Sequence, residues 1–205
     1  MKGCSEEDFL LGWYDVTVCA IKDMLRTNDE LLGKLDDELN GSPPESYRDG
    51  SSELLIFALF LVTASFLLRK HTPLSLLDKQ TLDRFHDIVA SLVSLTTSGF
   101  TPHEVKVLAT LRYKVYYPRF EALSKAIREG LQSEVKGQAP NRPEFRQAAV
   151  ELVDTFRKFS IGVDPTKLDG LDALPSFSAW TMAPFLLDSI TALWGGLTKT
   201  IPPPV

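Results

Sequence analysis

The residues able to do chemistry are few and scattered. The histidines are His71, His86 and His103, on three separate stretches. No two of them stand at helical ligand spacing, and there is no Cys-x-x-Cys, the patterns a bound metal usually requires. His86 sits on the edge of an apolar face and reads as a half-buried packing residue with a hydrogen-bond partner. His103 falls in the first turn of a helix and reads as solvated. The two cysteines, Cys4 and Cys19, can form at most one bridge, which points to a reduced, cytoplasmic or otherwise intracellular setting. Cys19 lies within an apolar helical pattern, where a cysteine acts as a small inert hydrophobe. There is no Gly-x-Ser-x-Gly elbow and no glycine-rich phosphate loop. Gly170 and the pair Gly195-Gly196 read as helix stops.

Two charged constellations remain. Asp29, Glu30, Asp36, Asp37 and Glu38 form an acidic cluster. A carboxylate pair such as Asp36-Asp37 can hold magnesium, but no second carboxylate motif answers it, and opposite a leucine face it reads as the solvated side of a helix. The stretch Arg112, Tyr113, Lys114, Val115, Tyr116, Tyr117, Pro118, Arg119 interleaves cations with aromatics. That pattern can contact phosphates and stack bases. With Val115 on an inward stripe, the patch of Arg112, Tyr113, Lys114, Tyr117 and Arg119 reads instead as a helix surface or a protein-binding patch, and nucleic acid is not expected. No cofactor and no metal are expected, and the chain reads as non-enzymatic.

Charge is uneven. Residues 1–50 hold five Lys/Arg against twelve Asp/Glu, a net of -7, and residues 51–205 hold seventeen against fifteen, a net of +2. Neither half is extreme enough to specify a polyanionic partner. The first residues turn acidic at once, and no secretory signal is recognisable.

The elements that must position these side chains are helices. Ser5 before Glu6, Glu7 and Asp8 caps the first, with Phe9, Trp13, Val16 and Ala20 as one apolar stripe and Leu10, Tyr14, Ile21 and Leu25 as a second. Asn28 looks like the cap of another, carrying Leu31, Leu32, Leu35 and Leu39. Residues 41–51 form a loop. Leu54 to Leu68 is then an unbroken run of fifteen residues without a charge. At ~22 Å as a helix it is shorter than the ~30 Å hydrocarbon core, which favours a protein interior over a membrane span. Thr72-Pro73 is a further start signal, followed by Leu82, Phe85, Val89 and Leu92 on one face. Thr101-Pro102-His103-Glu104 combines a cap, a first-position proline and a capping-box acid, followed by Val105, Leu108, Leu111 and Val115. Pro118 signals a kink or a new helix with Phe120, Leu123, Ile127 and Leu131. Asn141 and Glu144 start the next, on Phe145, Ala149, Leu152, Phe156 and Phe159, ended by Gly162. A punctuated connector over 163–176 leads to a last helix with Leu186, Ile190, Leu193 and Leu197. No alternating run carries hairpin chemistry.

These signals predict an all-α fold: a single-domain helical bundle over 1–200, of about seven or eight helices around a buried apolar central helix (54–68), with an extended proline-rich tail over 201–205. The leading functional expectation is a non-enzymatic module that binds another protein, a partner helix in an apolar groove. Its candidate groove or ligand residues are Trp13, Trp180, Phe185 and Trp194. The alternative is a carrier or sensor for an apolar small molecule or lipid in an internal cavity. A membrane-inserting protein or an enzyme with a dispersed site comes third, and a stable membrane span is not expected.

Overall fold

The structure is a computed structural model, and it describes residues 5–39, 52–69, 75–97, 99–135 and 142–200. Among these residues there is no strand. Six α-helices run in the order α1 (Glu6–Leu39), α2 (Ser52–Arg69), α3 (Leu76–Thr96), α4 (Pro102–Val135), α5 (Arg142–Ser160) and α6 (Phe177–Thr200). Two short 3-10 turns, Pro165–Lys167 and Gly170–Ala173, lie between α5 and α6. The chain divides into two compact units, each discontinuous in sequence: Met1–Asp23, Arg48–Arg112 and Asp188–Val205 in the first, Met24–Tyr47 and Tyr113–Leu187 in the second.

Several helix starts and stops are locally encoded. Ser5 Oγ accepts from the Asp8 backbone N–H at 3.1 Å, while the Asp8 carboxylate accepts from the Ser5 backbone N–H at 3.2 Å. Ser75 with Asp78 and Thr101 with Glu104 repeat this reciprocal box at the heads of α3 and α4. Gly162, at φ +80°, ends α5. Its N–H meets the Phe159 carbonyl at 3.0 Å and that of Val163 meets the Lys158 carbonyl at 2.8 Å, the paired closure of a Schellman stop. The expected starts at Thr72-Pro73 and Asn141 lie outside the described residues, as does the 201–205 tail.

Three expected breaks are not breaks. α1 runs through Asn28, α4 through Pro118 and α6 through Gly195-Gly196. Asn28 is buried, and its side chain is engaged by Thr181 rather than by its own helix. Pro118 removes one helical donor. Next to it, Arg119 Nη1 donates to the Val115 carbonyl at 2.8 Å.

In the first unit, α2 is buried around its girth. Leu54, Ile56 through Val62, Ala64 and Phe66 are all essentially inaccessible. Each such Leu, Ile or Phe contributes roughly 1.5–3 kcal/mol of burial. Its polar side chains are buried as well: Glu53 takes a hydrogen bond from Arg112 Nε at 2.8 Å, and Thr63 Oγ1 lies 2.9 Å from His86 Nε2 on α3. No helix among the described residues is long and apolar enough to cross a membrane.

The buried stripes differ in detail from the expected ones. On α1 the stripe is Leu10, Tyr14, Thr17, Ile21, Met24, Leu25 and Asn28, and Val16 points to solvent. On α3 Val93 is buried in place of the exposed Leu92. On α4 the inward positions are Val105, Ala109, Tyr116, Phe120 and Leu123, with Leu111 exposed. Arg112 falls in the gap of that last series at helical spacing, because its partner Glu53 is buried. The side chain of Phe145 lies outside the described residues. Cys19 is a free, exposed thiol and not a packing residue, since it stands off the Tyr14–Thr17–Ile21 stripe.

Candidate protein-docking surface

The polar interior of the second unit explains how its surface is set. Asp154 on α5 is buried, and both its oxygens are used. Oδ2 lies 2.7 Å from Lys158 Nζ, and Oδ1 accepts from the Ser176 backbone N–H at 2.9 Å. Lys158 Nζ also donates to the carbonyls of Ala173 (3.3 Å) and Leu174 (3.1 Å). An ammonium group has three donors, and all three are occupied. A fully satisfied charged network of this kind fixes backbone geometry. The segment it fixes is the connector between α5 and α6. Asp164 adds a local clamp, accepting from the Thr166 N–H at 3.0 Å and its hydroxyl at 2.7 Å, and these bonds hold its carboxyl below the usual value.

The side chains on this pinned connector point outward. Leu171 is 85% exposed, Leu174 59% and Phe177 64%, with Ile161 at 60%. Leu171 and Leu174 are one 3-10 turn apart, joined by the Leu174 N–H to Leu171 carbonyl bond at 3.1 Å, so both project to the same side. Trp180, one helical turn beyond Phe177, is partly exposed and carries the Arg146 guanidinium 5.6 Å from its ring centroid. These exposed apolar side chains follow one another along the connector and into the first turn of α6. The sequence bounds the connector at 163–176 and singles out neither Leu171 nor Leu174. The available signal was the three-residue spacing of Leu171 and Leu174, which fits a single 3-10 turn.

The expected groove residues fall as follows. Trp13 is half-buried on α1 in the first unit, edge-on to Phe9 with ring centroids 5.9 Å apart. Trp180 and Phe185 belong to the second unit, ~140° apart around α6 by helical geometry. The Trp194 side chain lies outside the described residues.

The basic–aromatic patch is dispersed by its own contacts. Arg112 pairs with Glu53 and Arg119 bonds the Val115 carbonyl, while Tyr113 is half-buried. Lys114 and Tyr117 are exposed, and the neighbouring Tyr116 is buried edge-on to Phe159 at 5.8 Å.

A second polar cluster lies deeper in the second unit. The Thr181 hydroxyl is 2.6 Å from Asn28 Oδ1 and 2.9 Å from the Ser178 carbonyl, yet has one proton to give. The Asn28 Nδ2 group is buried without a partner in that orientation. Beside it, Asp29 is half-buried and not on the solvated side, and burial raises its carboxyl pKa against the opposing pull of Arg157. The side chains of Asp36, Asp37 and Glu38 lie outside the described residues. No group of three or more His, Cys, Asp or Glu among the described residues is placed to hold a metal ion. No protein-family model, curated protein or solved structure matches the chain.

Proposed function

We propose that the chain is a non-enzymatic protein-interaction module that docks its partner on the connector and the start of α6. One observation carries this reading. The buried Asp154–Lys158 pair holds a segment whose large apolar side chains, Leu171, Leu174 and Phe177, are left to solvent. Burying two charges is costly. Here the pair orders a loop that adds little to the core, as expected when the loop's shape serves a contact. The apolar helix Leu54–Leu68 then acts as the central helix on which the fold is built. An intracellular setting goes with this reading, since two cysteines are too few for a disulfide framework.

The test compares wild type with Leu171→Ser/Leu174→Ser/Phe177→Ser as bait. The variant should keep its thermal midpoint within about 2 °C, because these side chains bury little. A partner recovered by wild type and lost by the variant supports the docking surface. Equal recovery by both defeats it. A small apolar molecule retained in native mass spectrometry, with the same variant still loaded, would replace it with the carrier reading.

A further inference from the structure

Leu168, Leu171, Leu174, Phe177 and Trp180 recur every third residue, and Asp169 and Asp172 stand between the first three. Both aspartates are exposed. Asp164, a few residues earlier, already has a cation, Lys167 Nζ at 3.5 Å. Asp169 and Asp172 have no cationic partner among the described residues. They flank Leu171, a solvent-facing apolar side chain. The exposed apolar side chains are therefore bordered by two carboxylates that have no ion-pair partner among the described residues.

We propose that this surface binds a basic amphipathic segment of a partner protein, with large apolar anchors seated on Leu171, Leu174 and Phe177 and Lys or Arg meeting Asp169 and Asp172. The inference rests on the docking surface proposed above. Charge complementarity selects the partner: rim carboxylates attract cationic segments and repel acidic ones. The same carboxylates oppose an anionic lipid surface, which would bring like charge against them. An amphipathic helix offers apolar anchors at i, i+3 or i+4, and i+7 with cations alongside, which suits a short patch of this composition. The connector is already fixed by Asp154 and Lys158, so little ordering cost falls on binding.

Two fluorescent synthetic helices of identical Leu/Phe anchors, one flanked by Lys and one by Glu, test this against the full chain by anisotropy. The Lys peptide should bind about fivefold tighter at low salt, as two rim charge pairs allow, with the gap closing at high salt. Asp169→Asn/Asp172→Asn should erase the gap. Equal affinity of the twins, or a gap that survives the double variant, overturns the basic partner. If Leu171→Ser/Phe177→Ser weakens both peptides, the docking surface stands even so. If that variant leaves both affinities unchanged, the surface itself is lost. Failure of the Lys peptide to bind, or binding of phosphatidylserine vesicles in its place, also overturns the proposal.

Discussion

Thr63 Oγ1 on α2 and His86 Nε2 on α3 lie 2.9 Å apart, a polar contact between buried Phe60 and Phe66 along α2. Burial holds the imidazole pKa below its usual value. Asp83 and Asp87 on the same helix oppose that shift, and Lys106 on α4, itself paired with Asp87, adds to it. The folded state thus prefers neutral His86, while the unfolded chain takes up a proton near pH ~6.5. Stability from this site is fully present above that pH and is lost as pH falls toward the depressed folded value. The urea midpoint of wild type should drop more between pH 7.5 and 5 than that of His86→Gln. Parallel curves would remove His86 from the acid response.

Phe60 is 1% exposed in α2 and Phe177 64% exposed at the head of α6. Phe60→Ala should cost roughly 3–5 kcal/mol, as for other buried aromatics. Phe177→Ala should cost far less. Urea titration of the two variants compares them directly, and equal midpoints would contradict both placements.

Lys158→Met leaves Asp154 as a buried carboxylate without its cation and frees the Ala173 and Leu174 carbonyls. Loss of one partner of a buried pair costs about 3–5 kcal/mol. Asp154→Asn added to Lys158→Met should recover part of that loss. Limited proteolysis should cut the connector faster in the single variant than in wild type, and unchanged cleavage would show that the pair does not order it.

Arg112 and Arg119 are already committed within the fold. No binding of single-stranded RNA or DNA is expected at physiological salt. A gel shift abolished by Lys114→Gln would reverse that expectation and make the exposed part of the patch a phosphate contact.

Asp29 should behave oppositely to His86. Its carboxyl pKa is raised in the fold, so the folded state binds the proton more tightly and gains stability as pH falls. Asp29→Asn should therefore unfold at a higher urea concentration than wild type at pH 7, with the advantage gone by pH 3.5. A lower midpoint for the variant at pH 7 would mean that attraction to Arg157 outweighs burial.

Features set by neighbours within a few residues can be read directly from the chain. Ser5 with Asp8, Thr101 with Glu104, and Gly162 encode helix ends through bonds spanning three to five positions, and all were legible. The burial of Leu54 and of Ile56 through Phe66 was legible too, because a helix without a polar face has nowhere else to go. Tertiary structure decided the residues whose meaning lies in a distant partner. Arg112 is inward because Glu53, 59 positions away, is buried opposite it. Asn28 continues a helix rather than capping one because Thr181, 153 positions away, takes its side chain. Leu171 and Leu174 face solvent because Lys158 and Asp154 hold their backbone from beneath. An apolar side chain in a connector can turn either way, and only the contacts under it choose the direction.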